Sequence, residues 1–244
     1  MTRRVITGLV LTATPIAAAP AEPLSLFGIT PGKGATVSAP MQIVILLTLL
    51  TLLPAVVMAL TPFLRITVVL HFLRQALGTQ STPSNQVLLA LALFLTIVIM
   101  QPVAVQMYQK GWEPMEAGRY TPQQAMEEGV KPLRQFLLRF AREKDIRLFV
   151  EITHTAAPRT PEDLDLKILM PAYVLSELKT GFQIGAVLFL PFLVIDLVVA
   201  SVTLSVGMVQ LPPVMISAPF KVLLFVLVDG WNLVTGSLMK SFYS

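Results

Sequence analysis

Apolar and polar positions along this chain fall into long blocks rather than alternating. Met41 to Leu60 is uncharged throughout, and so is Gln86 to Val105. At about 1.5 Å per residue, each block matches a hydrocarbon core of roughly 30 Å. A third block, Phe182 to Ser241, carries only Asp196, Lys221, Asp229 and Lys240 as charges and is cut by Leu211-Pro212-Pro213. That pattern predicts two apolar helices joined by a proline-stiffened turn. Between the second and third blocks, Lys110 to Lys179 holds 11 of the 18 basic and 11 of the 14 acidic residues, and it reads as water-facing.

Local signals place the helix ends. Pro54 predicts a kink in the first span and Pro102 lies near the end of the second. Phe63 to Leu77 reads as a helix interrupted by Arg65, His71 and Arg74 and stopped at Gly78. Thr82-Pro83 is expected to restart the chain as a helix, by cap and then proline. Thr121-Pro122-Gln123-Gln124 and Thr160-Pro161-Glu162-Asp163 repeat that pattern, with Gln124 or Asp163 placed to reach back to the cap. After the first, Val130, Leu133, Leu137 and Phe140 recur at helical spacing while Arg134, Arg139, Arg142 and Glu143 fall elsewhere, which predicts an amphipathic helix with one dry face. The second leads through Ile168, Leu169, Tyr173 and Leu175, with Pro171 as a kink.

At the N-terminus, Arg3 and Arg4 precede the short apolar run Val5 to Ile16 and the small residues Ala17 to Ala21, the layout of a secretory signal peptide. Cleavage after Ala21 satisfies the Ala19-x-Ala21 pattern, whereas a cut after Ala19 leaves Pro20 first; an uncleaved anchor is the other reading. The expected organisation is a signal peptide at 1–21 and a Pro, Gly, Ser and Thr-rich linker at 22–40, followed by a first helical hairpin at 41–109. A charged helical domain at 110–181 and a second hairpin at 182–244 complete it. An exported N-terminus sends the first span inward and leaves Arg65 and Arg74 on the cytoplasmic side, in accord with the positive-inside rule. Residues 110–179 are then periplasmic. The fold class is all-α: an integral membrane protein of about four long apolar helices in two hairpins, plus a helical periplasmic-side domain.

Composition supports that class and removes others. Hydrophobic residues make up 55%, charged residues 13% and the mean hydropathy is +0.73, against roughly 25% charged in a soluble domain. The absence of cysteine excludes disulfides, thiolate metal sites and cysteine nucleophiles. A net charge of +4, or +2 without Arg3 and Arg4, with no basic stripe interleaved with aromatics, is not a nucleic-acid signature. There is no Gly-rich phosphate loop and no His-Glu-x-x-His, and the two histidines, His71 and His154, fall in different compartments. No catalytic residue, metal or cofactor is therefore expected, and the chain reads as a non-enzyme. The ionisable groups in apolar surroundings, Asp196, Lys221 and Asp229, admit an ion relay or structural pairing, either with a neighbouring subunit or near a helix end. An ion-coupled transporter is one alternative, although the internal repeats of that class are missing. Gly181-x-x-x-Gly185 would let two helices approach closely.

Three runs are more specific. Arg65 to Gly78 (RITVVLHFLRQALG), Pro191 to Ser201 (PFLVIDLVVAS), and Leu211 to Ser217 (LPPVMIS) continuing to Phe225 to Asn232 (FVLVDGWN) closely resemble the FliP family of flagellar export-gate proteins, in the same order between Met41 and Phe242. Injectisome counterparts share these motifs, and the signal peptide favours the flagellar branch. The resemblance implies a structural channel subunit that passes unfolded flagellar substrates across the bacterial inner membrane at the flagellar basal body. It implies several copies, typically five, assembled with FliQ and FliR, joined by FlhB, and sitting largely on the periplasmic side. It also implies inter-subunit roles for Glu177, Lys179, Asp196, Lys221 and Asp229, and a methionine-rich gasket before the two prolines. Here that segment is Met208-Val209-Gln210, where only Met208 keeps the pattern.

Overall fold

The computed structural model describes residues 39–79, 81–154, 160, 164–207 and 212–243. Every regular element among them is helical: α1 (Ala39–Leu60), α2 (Phe63–Ala76), α3 (Asn85–Met107), α4 (Glu113–Glu116), α5 (Pro122–Phe140), α6 (Glu143–Ile152), α7 (Leu166–Ser205), α8 (Pro213–Leu227) and α9 (Gly230–Tyr243), with a π-helical turn at Tyr108–Trp112 between α3 and α4. The signal-peptide and linker readings, with Ala19 and Ala21, lie outside the described residues, as do Met208, Val209 and Gln210. Three described stretches are long and apolar enough to cross a membrane, Pro40–Leu60, Asn85–Glu116 and Leu166–Ser205, and α8 with α9 make a fourth if that pair, bent by 66°, is one span.

The chain forms two compact units, residues 1–48 and 49–244. Of the first, residues 39–48 are described. They open α1, and Met41, Ile43, Val44, Ile45, Leu46 and Leu47 are all exposed. A helix apolar on every side has no polar face to offer water, which is the signature of a span.

The second unit is built around α2. Ile66, Val69, Leu70, Leu73 and Ala76 are fully buried, and their spacing wraps most of the helix in neighbours. Leu88, Ala92 and Ile99 of α3, with Leu238 and Phe242 of α9, complete one core around α2; Phe192 of α7 and Phe225 of α8 belong to a second, around Leu73 and Leu77. The helix ends as its sequence predicts: Gly78 takes φ +73° and its N–H donates to the Gln75 carbonyl. A third core joins Leu137 of α5 to Ile168, Leu169 and Tyr173 of α7.

Glycines set how closely α2 and α7 approach. A Cβ at Gly181 would lie 3.1 Å from Val68, and one at Gly185 would lie 2.5 Å from the Phe72 ring. The four-residue spacing therefore makes a groove along α7 that receives two side chains of α2.

Several element boundaries differ from the sequence expectation. α3 is capped by Ser84, whose hydroxyl accepts from the Val87 N–H, rather than by Thr82, which lies a half-turn too early for any helical N–H. α7 is capped by Asp165, whose carboxylate accepts from the Lys167 N–H at 3.1 Å, so the start shifts from Thr160; Pro161 to Asp163 lie outside the described residues. The Thr121 capping box forms as read, with both reciprocal bonds to Gln124. The helix it starts ends at Phe140, without a glycine or proline to stop it. The stop is tertiary: the Arg142 N–H donates to Ser176 Oγ of α7 at 2.9 Å, and Ser176 donates to Asp145 Oδ2 at 2.7 Å. A side chain of α7 thus holds Arg142 extended and starts α6. Finally, α7 runs unbroken through Pro171, Pro191 and the expected domain boundary at 181.

Candidate functional site

Position 65 falls one turn before Val69 and two before Leu73, so the stripe that buries α2 also buries Arg65. Its guanidinium is 4% exposed and meets Glu177 of α7, which is fully buried. Arg65 Nε donates to Glu177 Oε2 at 2.8 Å and Nη2 donates to Oε1, a two-pronged match of fork to carboxylate. Nη1 donates to Ser241 Oγ at 3.2 Å. The charge also faces two rings, 4.0 Å from the Phe242 centroid and 5.4 Å from that of Phe140. Glu177 belongs to a row on α7, Glu177, Gly181 and Gly185, in which one residue per turn faces α2, and Tyr173, one turn earlier, packs its ring against Phe136 of α5. Tyr173 is buried beside this pair, and its hydroxyl has no hydrogen-bond partner among the described residues.

The end of α9 closes the cluster. Ser241 and Phe242 contact Arg65, and the hydroxyl of Tyr243 donates to the Val98 carbonyl of α3 at 3.4 Å. That carbonyl is the one Pro102, lacking an N–H, leaves without its helical donor. Three consecutive residues of α9 thus meet a buried cation, Arg65, and the backbone acceptor that Pro102 leaves open on the exposed side of α3.

A second pair joins α7 to α8. Lys221 Nζ donates to Asp196 Oδ2 at 2.6 Å and Ser217 Oγ lies 2.5 Å from Oδ1; Lys221 is 2% exposed and the Asp196 side chain 22%. Ser217 and Lys221, one turn apart on α8, aim both donors at one carboxylate.

Of the five charges singled out in the sequence, Asp196 and Lys221 are therefore brought together, while Glu177 meets Arg65. Asp229 is exposed at the bend between α8 and α9, with φ +51° and a hydrogen bond from Asn232. Lys179 is exposed on α7 and makes no ion pair among the described residues. Arg65 is the residue that sequence reasoning missed. Hydropathy put it and Glu177 on opposite sides of a bilayer, and their hydrogen bonds now place both at one level. The available signal was a lone carboxylate at the glycine spacing of α7, which calls for a cation on whatever helix fills that groove. No group of three metal-ligating side chains occurs among the described residues.

The fold and this cluster define a class: a helical integral membrane protein whose ionisable groups tie helices together. Comparison narrows the class, since the model of the FliP family matches residues 46–238, and the chain belongs to that family. It is similar to the flagellar biosynthetic protein FliP of Pectobacterium carotovorum subsp. carotovorum, 49% identical over 214 residues, covering 88% of this chain and 83% of that protein. The protein of the same name from Caulobacter vibrioides is 45% identical over 239 residues, 98% of this chain and 90% of that one. The one from Agrobacterium fabrum is 40% identical over 245 residues, covering 99% and 100%.

Proposed function

We propose that this chain is a structural, channel-forming subunit of the flagellar type III protein export gate, passing unfolded flagellar substrates across the bacterial inner membrane. The observation that carries this reading is the family match over residues 46–238, with relatives named flagellar biosynthetic proteins along nearly the whole chain. The packing agrees with it. α1, α3 and α7 leave rows of leucine, valine and isoleucine exposed, more apolar surface than a solitary water-soluble chain leaves open.

The chain assembles as several copies, five in the expected ring, with FliQ and FliR type subunits and an FlhB type partner, at the flagellar basal body and largely on the periplasmic side. It performs no catalysis; its work is to line and close a conduit. Met208, Val209 and Gln210, ahead of the proline turn, form the constriction, and the thioether of Met208 supplies a deformable seal. Lys179 and Asp229, exposed in the single chain, are the charges best placed to meet a neighbouring copy. Asp196 with Lys221, and Glu177 with Arg65, set the shape that each copy presents.

Deleting the gene and restoring it in a flagellated host tests the reading. Loss of the external filament, recovered by this chain, is the expected outcome. Intact filaments, or loss of injectisome secretion instead, would overturn it.

A further inference from the structure

α3 presents an exposed apolar face through Phe94, Ile97 and Val105, and that face continues upward to Tyr108. Just there the helix changes character: Tyr108–Trp112 is a π-helical turn, in which residues four apart come round to nearly the same side. Tyr108 and Trp112 are accordingly stacked along one face, 51% and 55% exposed. Their polar tips are already occupied by a single carboxylate. Trp112 Nε1 donates to Glu116 Oε1 at 2.8 Å and the Tyr108 hydroxyl donates to Glu116 Oε2 at 3.4 Å. On the opposite side the turn is clamped, because Gly111 packs directly on α5, where a Cβ at Gly111 would lie 2.6 Å from the Ala125 carbonyl oxygen and 2.8 Å from Gly129. Two amphipathic rings thus project from a fixed backbone, each with its apolar body outward and its donor turned towards charge. They stand where the uncharged run of α3 ends and Lys110, Glu113 and Glu116 begin.

We infer that Tyr108 and Trp112 are an interfacial anchor that seats the end of α3 at the headgroup level of a lipid bilayer. Aromatic rings with an apolar body and a polar tip favour that zone, where one end is dry and the other wet. Glu116 accepts from both rings and so holds their polar tips on one side, while Lys110, exposed on the other side of the same turn, can extend its ammonium to lipid phosphates. The pair reports the depth of the inserted chain. Val98, ten residues earlier, then lies about 15 Å deeper, which puts the bond it accepts from Tyr243, on the exposed side of α3, near mid-bilayer. This inference concerns the inserted chain and does not depend on the export-gate reading.

The test uses the full chain, without partners, in phosphatidylcholine and phosphatidylglycerol vesicles. Trp231→Phe leaves Trp112 as the sole indole, since the chain has two tryptophans. Lipids brominated near the glycerol end of the acyl chain are expected to quench Trp112 roughly twofold more than lipids brominated near the methyl end, the signature of an interfacial ring. Glu116→Leu should blur that contrast by releasing the ring orientation. If Trp112 is quenched by aqueous acrylamide but by neither lipid, or is shielded from all three, the anchor is overturned. A second measurement avoids replacing Trp231. The chain has no cysteine, so Val105→Cys and Ala117→Cys, which leave Glu116 in place, can each be labelled with a water-soluble maleimide in the same vesicles. A protected residue 105 with a reactive residue 117 supports the anchor, and equal reactivity at both overturns it.

Discussion

Arg65 and Glu177 show what burial does to a charge pair. A buried ion pair adds little net stability over an apolar replacement, because desolvation offsets the Coulombic gain, but removing one partner strands the other. Arg65→Met is therefore expected to destabilise the chain by about 3–5 kcal/mol, while Arg65→Met with Glu177→Leu recovers most of that loss. Thermal unfolding in detergent with single and double variants checks this; additive losses would mean that the two residues are not coupled. Tyr173 gives the opposite sign. A buried hydroxyl without a partner costs stability, so Tyr173→Phe should raise the midpoint, by the equivalent of about 1 kcal/mol. A lowered midpoint would show that the hydroxyl is satisfied. The Asp196 and Lys221 pair was legible as a question, since both charges sit in an apolar run. Arg65 was not, because hydropathy assigns each segment a compartment from local sequence and carries no information about a partner 112 residues away.

Among the elements, what local sequence controls was readable and what tertiary contact controls was not. The Thr121 capping box, the Gly78 stop and the apolar spans each depend on residues within one or two turns. The break between α5 and α6 depends on Ser176, which lies on another helix, and no turn residue marks it. The bend at Asp229 likewise interrupts what reads as one apolar helix; a left-handed aspartate holds it, and Phe225 packs against Gly230. The Gly181 and Gly185 spacing was visible, although its partner was not. It serves α2 of the same chain. Gly185→Ala is expected to cost about 1–3 kcal/mol, since its Cβ would meet the Phe72 ring. Phe72→Leu should restore part of that loss in the double variant, and an absence of rescue would place the strain elsewhere.

At the scale of the whole molecule, the chain is a set of paired helices with much of its apolar surface still open. The proposed constriction was legible only as a departure, because Gln210 stands where the family resemblance leads one to expect a methionine, and Met208 to Gln210 lie outside the described residues. Met208→Ala together with Gln210→Ala is expected to raise small-ion leakage through the purified channel without preventing assembly; unchanged conductance would remove the gasket. If this chain is one wall of a multi-subunit conduit, native mass measurement of the detergent-extracted complex, coexpressed with FliQ, FliR and FlhB type partners, will find it in a ring. The expected particle contains several copies of the 26.7 kDa chain, with five as the expected number. A lone monomer or dimer in the presence of those partners would contradict it.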